Sequence, residues 1–171
     1  MSSNLKFTFK VNGFEAAADE LKAAIIKGEQ SGMEKIGLRS EQILAKNTPV
    51  GATGNLRGGI FSQFHQDGPL MHEVIAISPP ADVYAAAVND GTRPHMPPSS
   101  ALVLWVKQKL QITKESQAKS VAFLIARKIA KSGTKAVHMF DTTLDQIEKE
   151  GPGILEREIA VAAQAAGFGK K

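Results

Sequence analysis

Thr48-Pro49-Val50-Gly51-Ala52-Thr53-Gly54-Asn55-Leu56-Arg57 divides the chain into a long helical stretch before it and a sheet-forming stretch after it. A residue that precedes proline is pushed out of the α region, so Asn47-Thr48-Pro49 stops the helix that arrives there. Gly51 and Gly54 then permit a tight loop. Upstream, Phe14, Ala18, Leu21, Ile25, Gly28, Gly32, Ile36 and Ile43 fall on one face of a helix predicted from about Phe14 to Lys46, with Glu and Lys on the other face. Gly28 and Gly32 each cost that helix about 1 kcal/mol relative to alanine, so they mark a bend or a close crossing with another backbone. A dimer contact through this GxxxG pair is the less favoured alternative, because the mechanics of that motif belong to lipid.

Around this helix the pattern is that of strands. Leu5, Phe7, Phe9 and Val11 alternate with polar residues as in a strand with one buried face, and Asn12-Gly13 ends it. Beyond the loop, Leu56, Ile60 and Phe64 alternate with Arg57, Phe61 and His65, a second strand that Gly58-Gly59 weakens. Gln66-Asp67-Gly68-Pro69 is a turn, Glu73 to Ser78 a third strand that Pro79-Pro80 terminates, and the two strands are expected to form a hairpin. Tyr84 to Val88 is short enough to be either helical or extended, and Asp90-Gly91-Thr92 is a turn.

The rest of the chain reads as helices. Ser99 or Ser100 is expected to cap a helix carrying Leu102, Trp105, Val106 and Leu110, and Thr113 to cap another with Val121, Leu124, Ile125 and Ile129 that closes at Ser132-Gly133-Thr134. Trp105 is expected to anchor this helical hairpin against the body. Asp141 is expected to cap a last helix with Leu144 and Ile147, which Gly151-Pro152-Gly153 breaks or kinks before Ile154 to Ala166. The fold class is therefore α+β: a long N-terminal helix on a small, mainly antiparallel sheet, a helical hairpin inserted over residues 97–135, and a C-terminal helix. Residues 1–171 fit one domain, with 167–171 a flexible tail.

Composition narrows the function classes. Hydrophobic residues make up 43% of the chain, a globular value, and no apolar run reaches the roughly 18 residues that a membrane helix requires. The N-terminus lacks the charged and apolar blocks of a signal peptide, so no export is expected. Cysteine is absent, which excludes disulfides and thiolate metal sites and suits a reducing cytoplasm. The formal charge of +4 hides an asymmetry: Lys107 to Lys135 holds eight Lys or Arg and one acid, whereas Asp141 to Glu158 holds six acids and two bases. Such blocks pair within a subunit, pair between neighbours, or face solvent.

Catalytic and cofactor chemistries fail on spacing. His65, His72, His95 and His138 are scattered without a ligand pair, so no metal is expected. Ser62, Ser99 and Ser132 lack a nucleophile-elbow context, and Gly51-Ala52-Thr53-Gly54-Asn55 lacks the Lys-Ser/Thr end of a phosphate loop. Asp141, Asp145 and Glu148 share a helix face, for which solvation is a better account than acid-base work. No cofactor and no catalytic residue are expected. Nucleic-acid binding is the rival, through Lys107, Lys109, Lys114, Lys119, Arg127, Lys128, Lys131 and Lys135 on the hairpin.

The order of these parts resembles a family, the tail-component and neck proteins of long-tailed bacteriophages. Pro49-Val50-Gly51-Ala52-Thr53-Gly54-Asn55-Leu56-Arg57 is similar to the family's Pro-Val-x-Thr-Gly-x-Leu-Arg loop, with one residue more than its shortest form. Tyr84-Ala85, Val88-Asn89-Asp90-Gly91-Thr92, Arg93-Pro94-His95-Met96-Pro97-Pro98 and Val137-His138-Met139-Phe140 follow in the family's order, with Asn89 where an acid is usual. A longer subgroup carries an insert resembling Pro97-Pro98, Leu102-Val103-Leu104-Trp105-Val106 and Ala126-Arg127-Lys128-Ile129-Ala130-Lys131-Ser132-Gly133-Thr134. The resemblance spans about residues 14–160, and its specificity lies in the ordered set of short motifs.

It implies a structural virion protein without catalysis, assembled in the host cytoplasm, located in the neck or tail, and forming a ring of copies that helps join tail to head. Neighbouring neck, connector or tail proteins would be its partners, with no membrane and no specific nucleic acid. The expected interface is the proline-stiffened loop with Asp90, Thr92, Arg93, Pro94, His95, Met96 and Pro97, and Arg57 as a companion. Prolines reduce the entropy lost on docking, and Arg93 can make a forked pair with a carboxylate.

Overall fold

The computed structural model describes residues 5–8 and 19–168. Residues 9–18, with the expected Asn12-Gly13 turn and the start of the expected long helix, lie outside the described residues, as do 1–4 and 169–171. Helix α1 is Asp19–Asn47 and buries Ile25, Gly28, Gly32, Ile36 and Ile43 of the expected stripe, with Leu21 half-buried and Phe14 and Ala18 outside the described residues, together with Met33, Gly37, Ser40 and Leu44. This buried face is wide because it has two neighbours, the sheet and the last helix. The helix ends as its sequence dictates: the Thr48 hydroxyl donates to the Leu44 carbonyl at 2.6 Å, and Pro49 follows.

The expected start of the second strand is corrected. Asn55–Gly58 is a single helical turn, α2, entered from Gly54 at φ 72°. The Gly58 and Gly59 amides donate back to the Gly54 and Asn55 carbonyls at 2.9 and 2.8 Å. Leu56 to Ile60 is a spacing of four, which one helical turn satisfies as well as a strand does. Strand β2, Ile60–Asp67, and β3, Leu70–Ile77, then form the expected hairpin about Gly68 and Pro69. Strand β1, Leu5–Thr8, lies antiparallel along the other side of β3, giving the order β1-β3-β2. Met71, Ile75 and Ile77 of β3 join Met33, Ile36 and Leu44 of α1 in the main core.

Three short helices and one long helix follow. Asp82–Asp90 is helical, α3, which periodicity left open. Ser99–Lys109 is α4 and Glu115–Ser132 is α5, an antiparallel hairpin packed mainly on itself. Pro98 and Lys114, not Ser99, Ser100 or Thr113, occupy the residues before them, and no side chain caps either helix. The expected role of Trp105 is corrected too. Val106 is fully buried against Ala118 and Ala122, whereas Trp105 is 37% and Leu110 47% exposed. Neighbouring residues on a helix point about 100° apart, so the position that faces α5 excludes its neighbour.

The last helix, α6, is Met139–Ala165 and continues through Gly151-Pro152-Gly153, so of the expected break or kink the break does not occur. Asp141 lies within its first turn and does not cap it. Packing overrides the proline here. Gly151 and Leu155 are buried, Leu155 against α1, and a Cβ placed on Gly28 or Gly32 would lie 2.6 Å from the Ile159 Cα or 3.1 Å from the Leu155 Cα. Those glycines therefore serve an antiparallel crossing within the subunit. Ion pairs line the crossing: Lys35 to Glu158 at 2.5 Å and Arg39 to Glu150 at 2.7 Å, each holding its glutamate below the usual carboxylate range. The Gly167 and Phe168 amides bond back to Gln164 and Ala163, so these two residues of the expected flexible tail close the helix in a Schellman arrangement.

Candidate functional site

The expected interface loop grows from a clasp. Asn89, buried in the last turn of α3, has its side-chain carbonyl accepting the Phe140 amide at 3.0 Å and its main-chain carbonyl accepting the Val137 and His138 amides, both at 3.0 Å. It thereby satisfies an orphan donor in the first turn of α6 from a remote segment, the service that an N-cap side chain performs locally. His138 is held at φ 54°, a left-handed torsion uncommon for a residue with a Cβ. The resemblance marks position 89 as an acid, and an asparagine supplies the same acceptor while its amide donates to Asp90 at 2.6 Å.

One residue on, Gly91 at φ 72° turns the chain so that Thr92 and Thr134 form an antiparallel bridge, with backbone bonds of 3.2 Å in both directions and hydroxyls 3.0 Å apart. A Cβ on Gly91 would lie 2.5 Å from the Thr134 carbonyl oxygen, and one on Gly133 would collide with Thr92, so only glycine fits either position. The bridge pins both ends of the inserted segment together. Its sequence signal was present in the two Gly-Thr pairs, Gly91-Thr92 and Gly133-Thr134, but nothing in the spacing tells that they meet.

The expected interface residues divide accordingly. Asp90 and Thr92 are engaged in the clasp. Arg93, Pro94, His95 and Met96 are exposed, Pro97 half-buried, and the His95 Nδ1 lies 2.9 Å from the Arg93 carbonyl oxygen, stiffening the loop. Arg57 stands apart, donating to the Thr48 carbonyl at 2.7 Å and closing the loop that precedes the sheet. No hydrogen bond or ion pair joins it to Arg93 through Pro97 among the described residues. The site is thus a rigid exposed tip, Arg93 to Met96, at the base of a projecting hairpin.

A second polar concentration lies under α1. Glu73 is 2% exposed, packed on the backbone of Gly37, with its Oε2 unpaired among the described residues. Burial pushes its pKa up to about 7; the nearby Glu34 and Glu41 push the same way, and Ser62 opposes them. Glu41 is already committed to the Ser62 amide at 2.5 Å, on the free edge of β2. Gly37 covers Glu73, so the group titrates but is shut away from a substrate. His65 and His72 stack across the β2–β3 ladder at 5.3 Å, and among the described residues no group of three His, Cys, Asp or Glu is placed to hold a metal ion. No helix of the described residues is long and apolar enough to cross a membrane.

Compared with family models, curated proteins and solved structures, the chain matches none.

Proposed function

We propose that this chain is a structural virion protein of a tailed bacteriophage, a ring-forming neck or tail-completion component that helps join tail to head. The observation that carries the reading is the ordered set of motifs from Pro49 to Phe140, together with the work those motifs do. The Val88-to-Thr92 turn and the Gly133-Thr134 end, which the resemblance picks out separately, form one clasp. Its product is a stiff exposed tip and a projecting hairpin, contact elements rather than a reaction site. Proline-rich turns also serve as plain connectors, so the tip needs its own test.

Deletion of the gene from the parent phage should leave unjoined heads and tails, counted by electron microscopy. Complementation with Arg93→Glu should fail although the purified variant keeps the wild-type circular dichroism and melting point. Normal yields of intact particles from the deletion strain would overturn the proposal; incorporation of Arg93→Glu at wild-type stoichiometry would remove the tip from it.

One observation favours a second reading, nucleic-acid binding: Arg127, Lys128 and Lys131 are exposed on α5 and form no ion pair among the described residues, and Trp105 is accessible for stacking. Tight duplex binding that falls steeply with salt would support it.

A further inference from the structure

The two charged blocks do not neutralise each other within the subunit. In the acidic block, Glu150 and Glu158 pair with Arg39 and Lys35 of α1, and Asp141 lies 3.3 Å from the His138 Nδ1. Asp145, Glu148 and Glu156 form no ion pair among the described residues. In the basic block, Glu115 is held by Lys107 and Lys119, which leaves Lys109, Lys114, Lys135 and, on α5 itself, Arg127, Lys128 and Lys131 without an acid among the described residues. What remains is one unpaired basic face on α5 and one unpaired acidic face on α6.

Each remainder is organised by helical spacing. On α5, Phe123 (48% exposed) and Leu124 (60%) sit one turn before Arg127 and Lys128, with Lys131 a turn beyond. On α6, Asp141, Asp145, Glu148, Pro152 and Glu156 follow one another at three or four residues and are all exposed. Pro152 and Gly153, beyond whose Cβ position there is open space, make an apolar low point between Glu148 and Glu156. Phe123 to Lys131 spans about 12 Å and Asp141 to Glu156 about 22 Å at 1.5 Å per residue, so the acidic face is long enough to receive the basic one.

We propose that the outer face of α5 docks on the outward face of α6 of a second copy of this chain, with Phe123 and Leu124 seated on Pro152-Gly153 and Arg127 and Lys128 reaching Glu148 and Asp145. The occupant is a second copy because each subunit carries both halves, of opposite sign, the shorter basic face fitting within the longer acidic one and each with an apolar step beside its charges. Such a contact uses different surfaces on its two sides, so it propagates from subunit to subunit and closes as a ring when the rotation allows. The inference rests on the virion reading for its biological role, while the contact is tested on the purified full chain.

Sedimentation velocity over a concentration series should show association at low salt, with the apparent Kd weakening about ten-fold or more between 50 and 500 mM salt. Arg127→Glu/Lys128→Glu and Asp145→Lys/Glu148→Lys should each remain folded by circular dichroism yet be monomeric. An equimolar mixture of the two should associate again, since every contact between them is complementary. A wild type that stays monomeric throughout, or a mixture that does not recover, overturns the contact. So does loss of duplex-DNA binding in the first variant with self-association intact, which assigns the α5 face to nucleic acid. Association in solution with normal particles from a deletion strain sinks the virion reading alone; unjoined particles with a monomeric wild-type chain sink this contact alone.

Discussion

The body of the molecule and its hairpin bury side chains in opposite order of size. Between α1, α6 and the sheet, the large residues are inside: Met33, Ile36, Leu44, Ile75, Met139 and Ile147 are fully or almost fully buried, and glycines occupy the places where backbones meet. Between α4 and α5 the fully buried residues are mostly small, and Leu102, Val103, Ile112, Val121 and Ile125 pack on them only half-buried. Ala118 and Ala122 face Val106, while Leu104, Trp105, Leu110, Phe123 and Leu124 point outward. Two helices alone offer one shared seam, and a seam lined by alanine brings them close at the expense of buried apolar area. The body thus carries a core of large side chains, whereas the hairpin buries its larger seam residues only in part and leaves its bulkiest apolar side chains exposed.

The largest expected effect tests that inversion directly. Ile36→Ala removes a fully buried side chain from the body and should cost about 2–5 kcal/mol, whereas Leu124→Ala on the hairpin should change stability by less than about 0.5 kcal/mol. Urea denaturation of dilute, monomeric protein measures both. Equal losses would break the comparison, since Leu124 would then be packed within the subunit.

A somewhat smaller effect concerns the one place where the body buries a charge-bearing group. The Glu73 carboxyl in the folded chain keeps its proton up to about pH 7, against an ordinary value of 4.5, because burial and the neighbouring Glu34 and Glu41 disfavour its anion. Between those values the folded state holds more protons than the unfolded state, so this group's contribution to stability falls as pH rises through the window. A shift of this size corresponds to about 3 kcal/mol at pH 8 relative to pH 4. Glu73→Gln, which cannot ionise, should flatten that dependence and be the more stable protein at pH 8. Parallel pH profiles for the two proteins would show that Glu73 has a partner or a path to water.

How much of this was legible in the sequence follows from the range of the forces involved. The α1 stripe, the stop at Thr48-Pro49 and the pairing of β2 with β3 are set by local periodicity and turn chemistry, although β2 starts later and β3 earlier than the alternation marks them. Features set by a distant segment were not legible. Pro152 stays inside a helix whose following turns pack through Leu155 and Ile159 on Gly32 and Gly28 of α1, and Asn89 serves the start of α6 although 51 residues separate it from Phe140. Of the expected interface residues, the sequence could mark the stiffness of Arg93 to Pro97 but could not tell that Asp90, Thr92 and Arg57 each make a hydrogen bond within the subunit.

The smallest expected effect falls on the residue whose role the apolar pattern misassigned. Trp105 occupies an apolar position in α4 beside Val106, and a buried tryptophan there would cost about 3–5 kcal/mol on truncation to alanine. With 37% of its surface exposed and Val106 filling the seam, Trp105→Ala should cost only about 1 kcal/mol, which in a chain of this size lowers the melting temperature by about 2–4 °C. As the sole tryptophan, it also reports its own surroundings. Emission from the dilute wild type should be that of a partly solvated indole, quenched by iodide. A large loss of stability together with a quencher-resistant signal would make the hairpin a second closed core and erase the difference between the two regions. A small loss with open access to quencher sharpens that difference, because the bulkiest side chain of the hairpin would then be shown to lie outside its core.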